Sequence, residues 1–393
     1  MANQQKNASL LFFLYLSMFM ATFSVGIYNP LIPLYAKLLG ATYMDLGVIG
    51  TVFALPYAIL PAFIGSLTDK LGRKPFYVGG ISLLTVIAIL FIFASNVKDI
   101  ILIRVLNGVA YSFLWPVAEP MIVDVTSIHE RTRVLGRFSF FWALGFLLSP
   151  FFGGFIVEGF GFYPLFIVAM LIGLAASTVA FYGLIYKQED EASHTKKVWI
   201  ENPDSESLKG SGGLFPFYLT IVVYSIVIGI VFSIFPVYAN SFNVSSFQIG
   251  ILFTVFGVSR VIVFLNSENV SKLFGEKNSI ILALITQIAA LTLMASTKNL
   301  ASFLSAMVLL GLSSGIISPI TISIASKIAK KEKIGATLGS MESFVGLGMT
   351  VGPIVGGTLA EKVSIESPYI VTGILCLLPL AVLVKGLEKS KKG

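Results

Sequence analysis

Glu119, Glu342, Arg104 and Arg260 each stand inside a long apolar run of this sequence. A carboxyl in a low-dielectric medium ionises less readily than in water, so it can load and release protons near neutrality. Glu119 lies in Trp115-Pro116-Val117-Ala118-Glu119-Pro120, where the prolines free backbone carbonyls and open a helix toward water. The alternative for Glu119 and Glu342 is pairing with Arg131, Arg137 or nearby lysines at the membrane edge. A guanidinium inside lipid costs at least ~2.5 kcal/mol on insertion scales, so it turns to a cavity, to a partner or up to the surface. For Arg104, about one turn from the end of its run, a functional place and a snorkelling one both stay open. Arg260 and Glu268, two turns apart, have similar status. Asp45 opens the second run and fits a helix cap better than a proton carrier.

The stretch Gly65-Ser66-Leu67-Thr68-Asp69-Lys70-Leu71-Gly72-Arg73-Lys74-Pro75 packs four charges between two apolar runs. Soluble-enzyme chemistry finds no footing elsewhere. There is no Gly-x-x-x-x-Gly-Lys-(Ser/Thr) phosphate loop, no nucleophile–base set, and no metal-ligand spacing around His129 or His194. Cys376, the single cysteine, allows no disulfide framework. The chain therefore reads as a non-enzyme that needs no cofactor and no metal.

These residues are positioned by helices in lipid. The composition is 56% hydrophobic and 12% charged, about half the charged fraction of a soluble protein. The apolar runs are long enough to cross ~30 Å of hydrocarbon. Twelve spans are expected at about 10–36, 45–66, 75–95, 99–123, 135–157, 163–186, 214–239, 247–265, 279–296, 300–325, 336–359 and 366–386. The first run is too long for a signal-peptide core and reads as a retained helix.

Alternate loops and the termini hold 21 of the 27 basic residues, which puts both termini and the 65–75 stretch in the cytoplasm of a cell-membrane protein. The net charge of +7 follows from that bias and points to no nucleic-acid partner. Residues 187–213 are the one long polar segment and read as a cytoplasmic linker. They separate an N-terminal six-helix bundle, 1–186, from a C-terminal one, 214–393.

Shifted by 203 residues, the chain matches itself without gaps. Gly26, Pro33 and Tyr35 fall on Gly229, Pro236 and Tyr238; Gly72 falls on Gly275, Gly108 on Gly311, Pro116 on Pro319. Gly145, Pro150, Gly153, Gly154 and Glu158 fall on Gly348, Pro353, Gly356, Gly357 and Glu361. Two bundles with an even number of spans share one orientation, and such pairs leave a cavity at their interface near the midplane.

With these features in place, the 65–75 stretch resembles the loop 2–3 signature of the major facilitator superfamily, G-x-L-x-D-(R/K)-x-G-(R/K)-(R/K), filled by Gly65, Leu67, Asp69, Lys70, Gly72, Arg73 and Lys74. The resemblance covers the whole chain. It implies an all-α polytopic membrane protein with twelve transmembrane helices in two pseudo-symmetric six-helix bundles. It also implies an inner latch, in which Asp69 faces the start of span 11 and Arg73 faces Asp124. The second-half counterpart, Glu268 to Lys277, keeps Gly275 and lacks the charged core, so a latch there is expected to be degenerate.

Arg104-x-x-Asn107-Gly108 resembles the family motif whose arginine is tied to proton coupling, with Glu119 and Glu342 as further candidates. Gly145, Pro150, Gly153 and Gly154 resemble the antiporter signature, with Ser149 in place of a glycine; Gly348, Gly352, Pro353, Gly356 and Gly357 complete it in span 11. Packing alone also explains small residues four apart. The resemblance assigns spans 1, 4, 7 and 10 to the cavity, with Tyr28, Asn29, Asn107, Tyr111, Trp115, Tyr224 and Ser314 as lining candidates and Trp142 from span 5.

An aromatic, weakly charged cavity suits amphipathic or cationic solutes. The expectation is a secondary active transporter working by alternating access, exporting small amphipathic solutes or drugs against protons, as a monomer in the bilayer. The alternatives are an uptake symporter or uniporter for a sugar, organic acid or other metabolite, and a non-transporting membrane sensor.

Overall fold

Apolar runs in hydrocarbon fold as helices because their backbone N–H and C=O groups find no other partners there. A computed structural model describes residues 2–185, 214–328 and 334–391, and its regular structure there is helical throughout. Among the described residues twelve helical segments are long and apolar enough to cross a membrane. In the first half these are span 1, Asn7–Leu38; span 2, Tyr43–Pro61; span 3, Arg73–Phe93; span 4, Val97–Val125; span 5, Arg133–Phe160; and span 6, Phe162–Leu184. In the second half they are span 7, Phe215–Ser233; span 8, Ser246–Leu265; span 9, Glu276–Ser296; span 10, Leu300–Ile328; span 11, Gly339–Lys362; and span 12, Ser367–Lys385. The 187–213 linker expected from composition lies outside the described residues.

Prolines break several spans where chemistry-bearing residues stand. Span 1 stops at Gly26, makes a short turn at Asn29–Leu31 and resumes at Ile32–Leu38. Pro30 and Pro33 cannot donate to a preceding turn, and the break holds Tyr28 and Asn29. Span 4 is two helices, Val97–Ser112 and Trp115–Val125, parted just before Pro116. Asn96 starts the first of them with a capping box: its side chain accepts from the Asp99 N–H, and Asp99 accepts from the Asn96 N–H.

Span 2 continues as helix to Leu71, well past its apolar part. The charged 65–75 stretch is therefore mostly helix and not an open loop. Gly72 interrupts it with φ 87° and ψ 146°, and a new helix starts at Arg73. A side chain is strained at that φ, which makes glycine the residue for the turn.

The chain forms two compact units. Unit 1 is Met1–Gly40, Val52–Lys197 and Ser245–Thr254; unit 2 is Ala41–Thr51, Val198–Val244 and Val255–Gly393. Each unit thus holds the first turns of a span whose remainder belongs to the other: span 8 in unit 1, span 2 in unit 2. In unit 2 the Tyr43 N–H donates to Glu361 (2.8 Å) and Thr51 Oγ1 donates to the Thr350 carbonyl (2.7 Å). In unit 1 the Phe247 N–H donates to Glu158 (3.4 Å). A carboxylate at a helix N-terminus is favoured by the helix dipole, and these two acids are repeat-related.

Candidate functional site

Arg104 is turned inward and is 6% exposed, so it does not snorkel. Its Nη1 donates to Asn29 Oδ1 (2.8 Å) and Asn107 Oδ1 (2.9 Å), and Asn107 Nδ2 donates to the Tyr28 hydroxyl (3.4 Å). The guanidinium carbon lies 4.0 Å from the centroid of the Phe53 ring, a cation–π contact. Arg104 Nε is buried without a hydrogen-bond partner among the described residues. Tyr28 is fully buried and packs on Phe91. Span 2 comes close enough for this because residue 108 is glycine: a Cβ there would overlap the Phe53 carbonyl oxygen.

From Phe53 a run of rings descends through spans 2, 4 and 5. Ring centroids are 6.0 Å apart for Phe53–Tyr111, 6.3 Å for Tyr111–Phe146, 5.3 Å for Phe146–Trp142 and 5.3 Å for Trp142–Trp115. These edge-on geometries are the favourable ones for aromatic pairs. All five rings are half-buried. Glu119 is half-buried one turn beyond Trp115, on the same face of the helix Trp115–Val125. Tyr111, Trp115 and Trp142 were expected from sequence. Phe53 and Phe146 were not, because nothing in their spacing distinguishes them from lipid-facing phenylalanines.

Where span 2 turns into span 3, Arg73 forms an ion pair with Asp124 and donates to the Pro120 carbonyl (3.3 Å). Lys74 beside it is half-buried. Gly65 and Asp69 fall outside the described side chains, and with them the expected contact of Asp69 with the start of span 11.

Positions 73 and 124 correspond, 203 residues on, to Glu276 and Lys327. These two also pair, with Lys327 Nζ donating to Glu276 Oε1 at 2.7 Å and Ser323 Oγ donating to the same oxygen at 3.3 Å. The second-half motif is therefore not merely degenerate: its ion pair is kept with the charges exchanged. The turn before it is kept as well, since Gly275 has φ 80° and ψ 150°. The signal was available in the sequence as opposite charges at repeat-related positions. Glu268, grouped with Arg260 from sequence, instead pairs with Lys272 (2.7 Å), and that hydrogen bond holds its carboxyl below the usual range.

The glycine–proline helices pack by close backbone approach. A Cβ at Gly145 would lie 2.8 Å from the Phe19 carbonyl oxygen, and one at Gly348 would lie 2.6 Å from that of Val222. Gly153 abuts the Ile27 carbonyl, and Gly352 lies against Ile226. Gly154 and Pro150 face Gly250; Gly357 and Pro353 face Gly47. Ser149 is buried against Gly26, its hydroxyl unpartnered among the described residues. In unit 2, Tyr224 and Ser314 are buried, and Glu342 is exposed in span 11. Among the described residues no group of three or more His, Cys, Asp or Glu is gathered to hold a metal.

The chain matches the sequence profile of the Major Facilitator Superfamily over residues 14–215 and 217–393. It belongs to that superfamily. The protein is accordingly a multi-pass membrane transporter of small molecules and not an enzyme. It is 28% identical over 404 residues to multidrug resistance protein 2 of Bacillus subtilis, covering 99% of this chain and 97% of that one. It is 27% identical over 386 residues to the quinolone resistance protein NorA of Staphylococcus aureus, covering 97% of each. Its fold is similar to the crystal structure of the nucleoside transporter NupG, with a TM-score of 0.75 at 13% identity, covering 96% of this chain and 99% of that one. Within the superfamily fold, the Arg104 cluster, the aromatic run and the Arg73–Asp124 pair all lie in unit 1.

Proposed function

We propose that this transporter exports small amphipathic solutes in exchange for protons, by alternating access and as a monomer. The observation that carries this reading is the run of half-buried rings from Phe53 to Trp115, with Glu119 one turn further along the same helix face. Rings offer sequence-tolerant apolar contact to flat or amphipathic bodies, and an acid beside them can carry a proton. The relatives named for multidrug and quinolone resistance support export. The basic bias of alternate loops supports a cytoplasmic position for both termini, in a reading with residues 1–186 and 214–393 as the two bundles and 187–213 as the linker between them.

Arg73 and Asp124 then belong to an inner latch that Asp69 completes. Arg104, Glu119 and Glu342 are its candidate proton-coupling groups. In proteoliposomes, an imposed pH gradient should drive solute movement, and Glu119→Gln or Glu342→Gln should uncouple it. Transport indifferent to the gradient and to both changes would remove the proton assignment.

A further inference from the structure

We infer that the guanidinium of Arg104 and the rings beside it form one ligand site in unit 1, built for a flat aromatic body that carries a carboxylate. The inference rests on the reading of the chain as a carrier of amphipathic solutes and adds the charge of the solute.

The guanidinium is held, but not neutralised. Both its hydrogen bonds leave from Nη1 and end on neutral amide oxygens, and among the described residues no carboxylate pairs with it. That leaves the Nε–Nη2 edge without an acceptor among the described residues, and Nε is buried. Two parallel N–H donors on one edge of the fork match the two oxygens of a carboxylate. Asn29 and Asn107 fix the fork from the opposite side, so its unpaired edge is oriented before any ligand arrives.

The fold does not require this charge. At the repeat-related positions of Tyr28, Asn29, Arg104 and Asn107, unit 2 carries Val231, Phe232, Met307 and Leu310. Met307 and Leu310 are fully buried there, so the same helix packing stands with apolar side chains. Taking a charge out of water without a counter-charge costs several kcal/mol. A group so costly, and dispensable to packing, is kept for what it binds.

The rings are equally one-sided. The positions that match Phe53, Tyr111, Phe146, Trp142 and Trp115 are Phe256, Ser314, Met349, Val345 and Ser318; one aromatic of five persists. Phe53 joins the two parts of the site, since it touches the guanidinium on one side and Tyr111 on the other. Arg104 and Tyr111 are two turns apart on one helix, about 10 Å at 1.5 Å per residue, a distance that a body of two or three fused rings spans. An ammonium group is repelled at the Arg104 end. This narrows the amphipathic or cationic solutes expected from sequence toward aromatic acids.

The test is equilibrium binding to the purified full chain in lipid nanodiscs at pH 7, without any gradient. The probes are 2-naphthoate, 2-naphthamide and 2-naphthylmethylammonium. Naphthoate should bind at least tenfold more tightly than naphthamide, and the ammonium probe least. Arg104→Gln should erase the naphthoate advantage and leave naphthamide unchanged, Arg104→Lys should restore part of it, and Trp142→Ala should weaken both. Equal affinities for naphthoate and naphthamide in the unaltered protein, a preference for the ammonium, or no naphthoate binding at millimolar concentration overturns the inference, and none of these needs a variant to fold. A naphthoate preference that survives Arg104→Gln overturns it too. An Arg104-dependent preference in a protein that shows no gradient-driven transport upholds the site and removes the exporter reading. Gradient-driven export of solutes with no selection by charge does the reverse.

Discussion

Gly108 and Gly311 make the same backbone contact in the two halves, each facing the carbonyl of a phenylalanine on the preceding even-numbered span. Gly145 and Gly348 likewise face the carbonyls of Phe19 and Val222, which are repeat-related. Around these shared contacts the side chains diverge. Unit 1 carries Asn29, Arg104 and Asn107 where unit 2 carries Phe232, Met307 and Leu310. Small residues set how closely the helices approach, and they are common to both halves. The guanidinium held by two amides is in one half only. Scaffold and chemistry are therefore separable in this chain, and the halves act as controls for one another.

Two exchanges of residues test that separation most severely. Met307→Arg puts a guanidinium in the half where Phe232 and Leu310 stand at the positions of Asn29 and Asn107, so the two amide oxygens that hold Arg104 have no counterpart at those positions. The cost is about 3 kcal/mol on insertion scales and larger once packing is counted. Loss of monodisperse folded protein in detergent chromatography is expected, with partial recovery when Phe232→Asn and Leu310→Asn are added. Arg104→Met makes the converse change. Removing a buried charge in favour of a packed apolar side chain is neutral or stabilising, so the melting temperature should hold or rise while transport falls at least tenfold. A protein that unfolds on Arg104→Met would make Arg104 structural and end the comparison.

The parts legible in the sequence are those that repeat. Span positions, Gly72, and the glycine–proline helices follow from hydropathy and from residue types that admit few alternatives. Arg73 and Asp124 were legible because the motif names their partner positions. The Phe53–Tyr111–Phe146 contacts were not, since the chain has 33 phenylalanines, and those in apolar helices look alike until a backbone groups them. Arg104 was legible as costly, but its amide partners come from a break in span 1 whose geometry periodicity does not reveal. The exchanged pair Glu276–Lys327 was hidden by a pattern that asks for one sign of charge at each position.

That exchanged pair gives a smaller effect and a cleaner sign. Arg73 and Asp124 keep 24% and 42% of their side-chain surface exposed, and Lys327 and Glu276 keep 54% and 23%. Partly exposed pairs contribute up to about 1 kcal/mol. Arg73→Glu alone places two acids together and should lower thermal stability. Adding Asp124→Arg gives unit 1 the polarity of unit 2 and should recover most of the loss. A double-mutant cycle with no coupling would show that position, and not charge pairing, is what the two halves share.

The smallest expected effect lies where unit 2 has an ion pair and unit 1 has none. Lys298 Nζ is 2.8 Å from Glu366 and 5.0 Å from the Phe242 ring centroid; the matching positions in unit 1 are Ser95 and Tyr163. The hydrogen bond from Lys298 holds the Glu366 carboxyl below its usual value. A carboxyl depressed in the folded state adds stability that is fully present above its unfolded pKa of roughly 4.3, and that stability is lost as pH falls through the lower folded value. Lys298→Met removes the cause. Thermal melts at pH 7 and near pH 3 should show the unaltered protein losing more stability over that interval than the variant, with the gap between them closing toward acid. A gap that is constant with pH would assign Lys298 to packing on Phe242 and leave Glu366 out of the difference between the two halves.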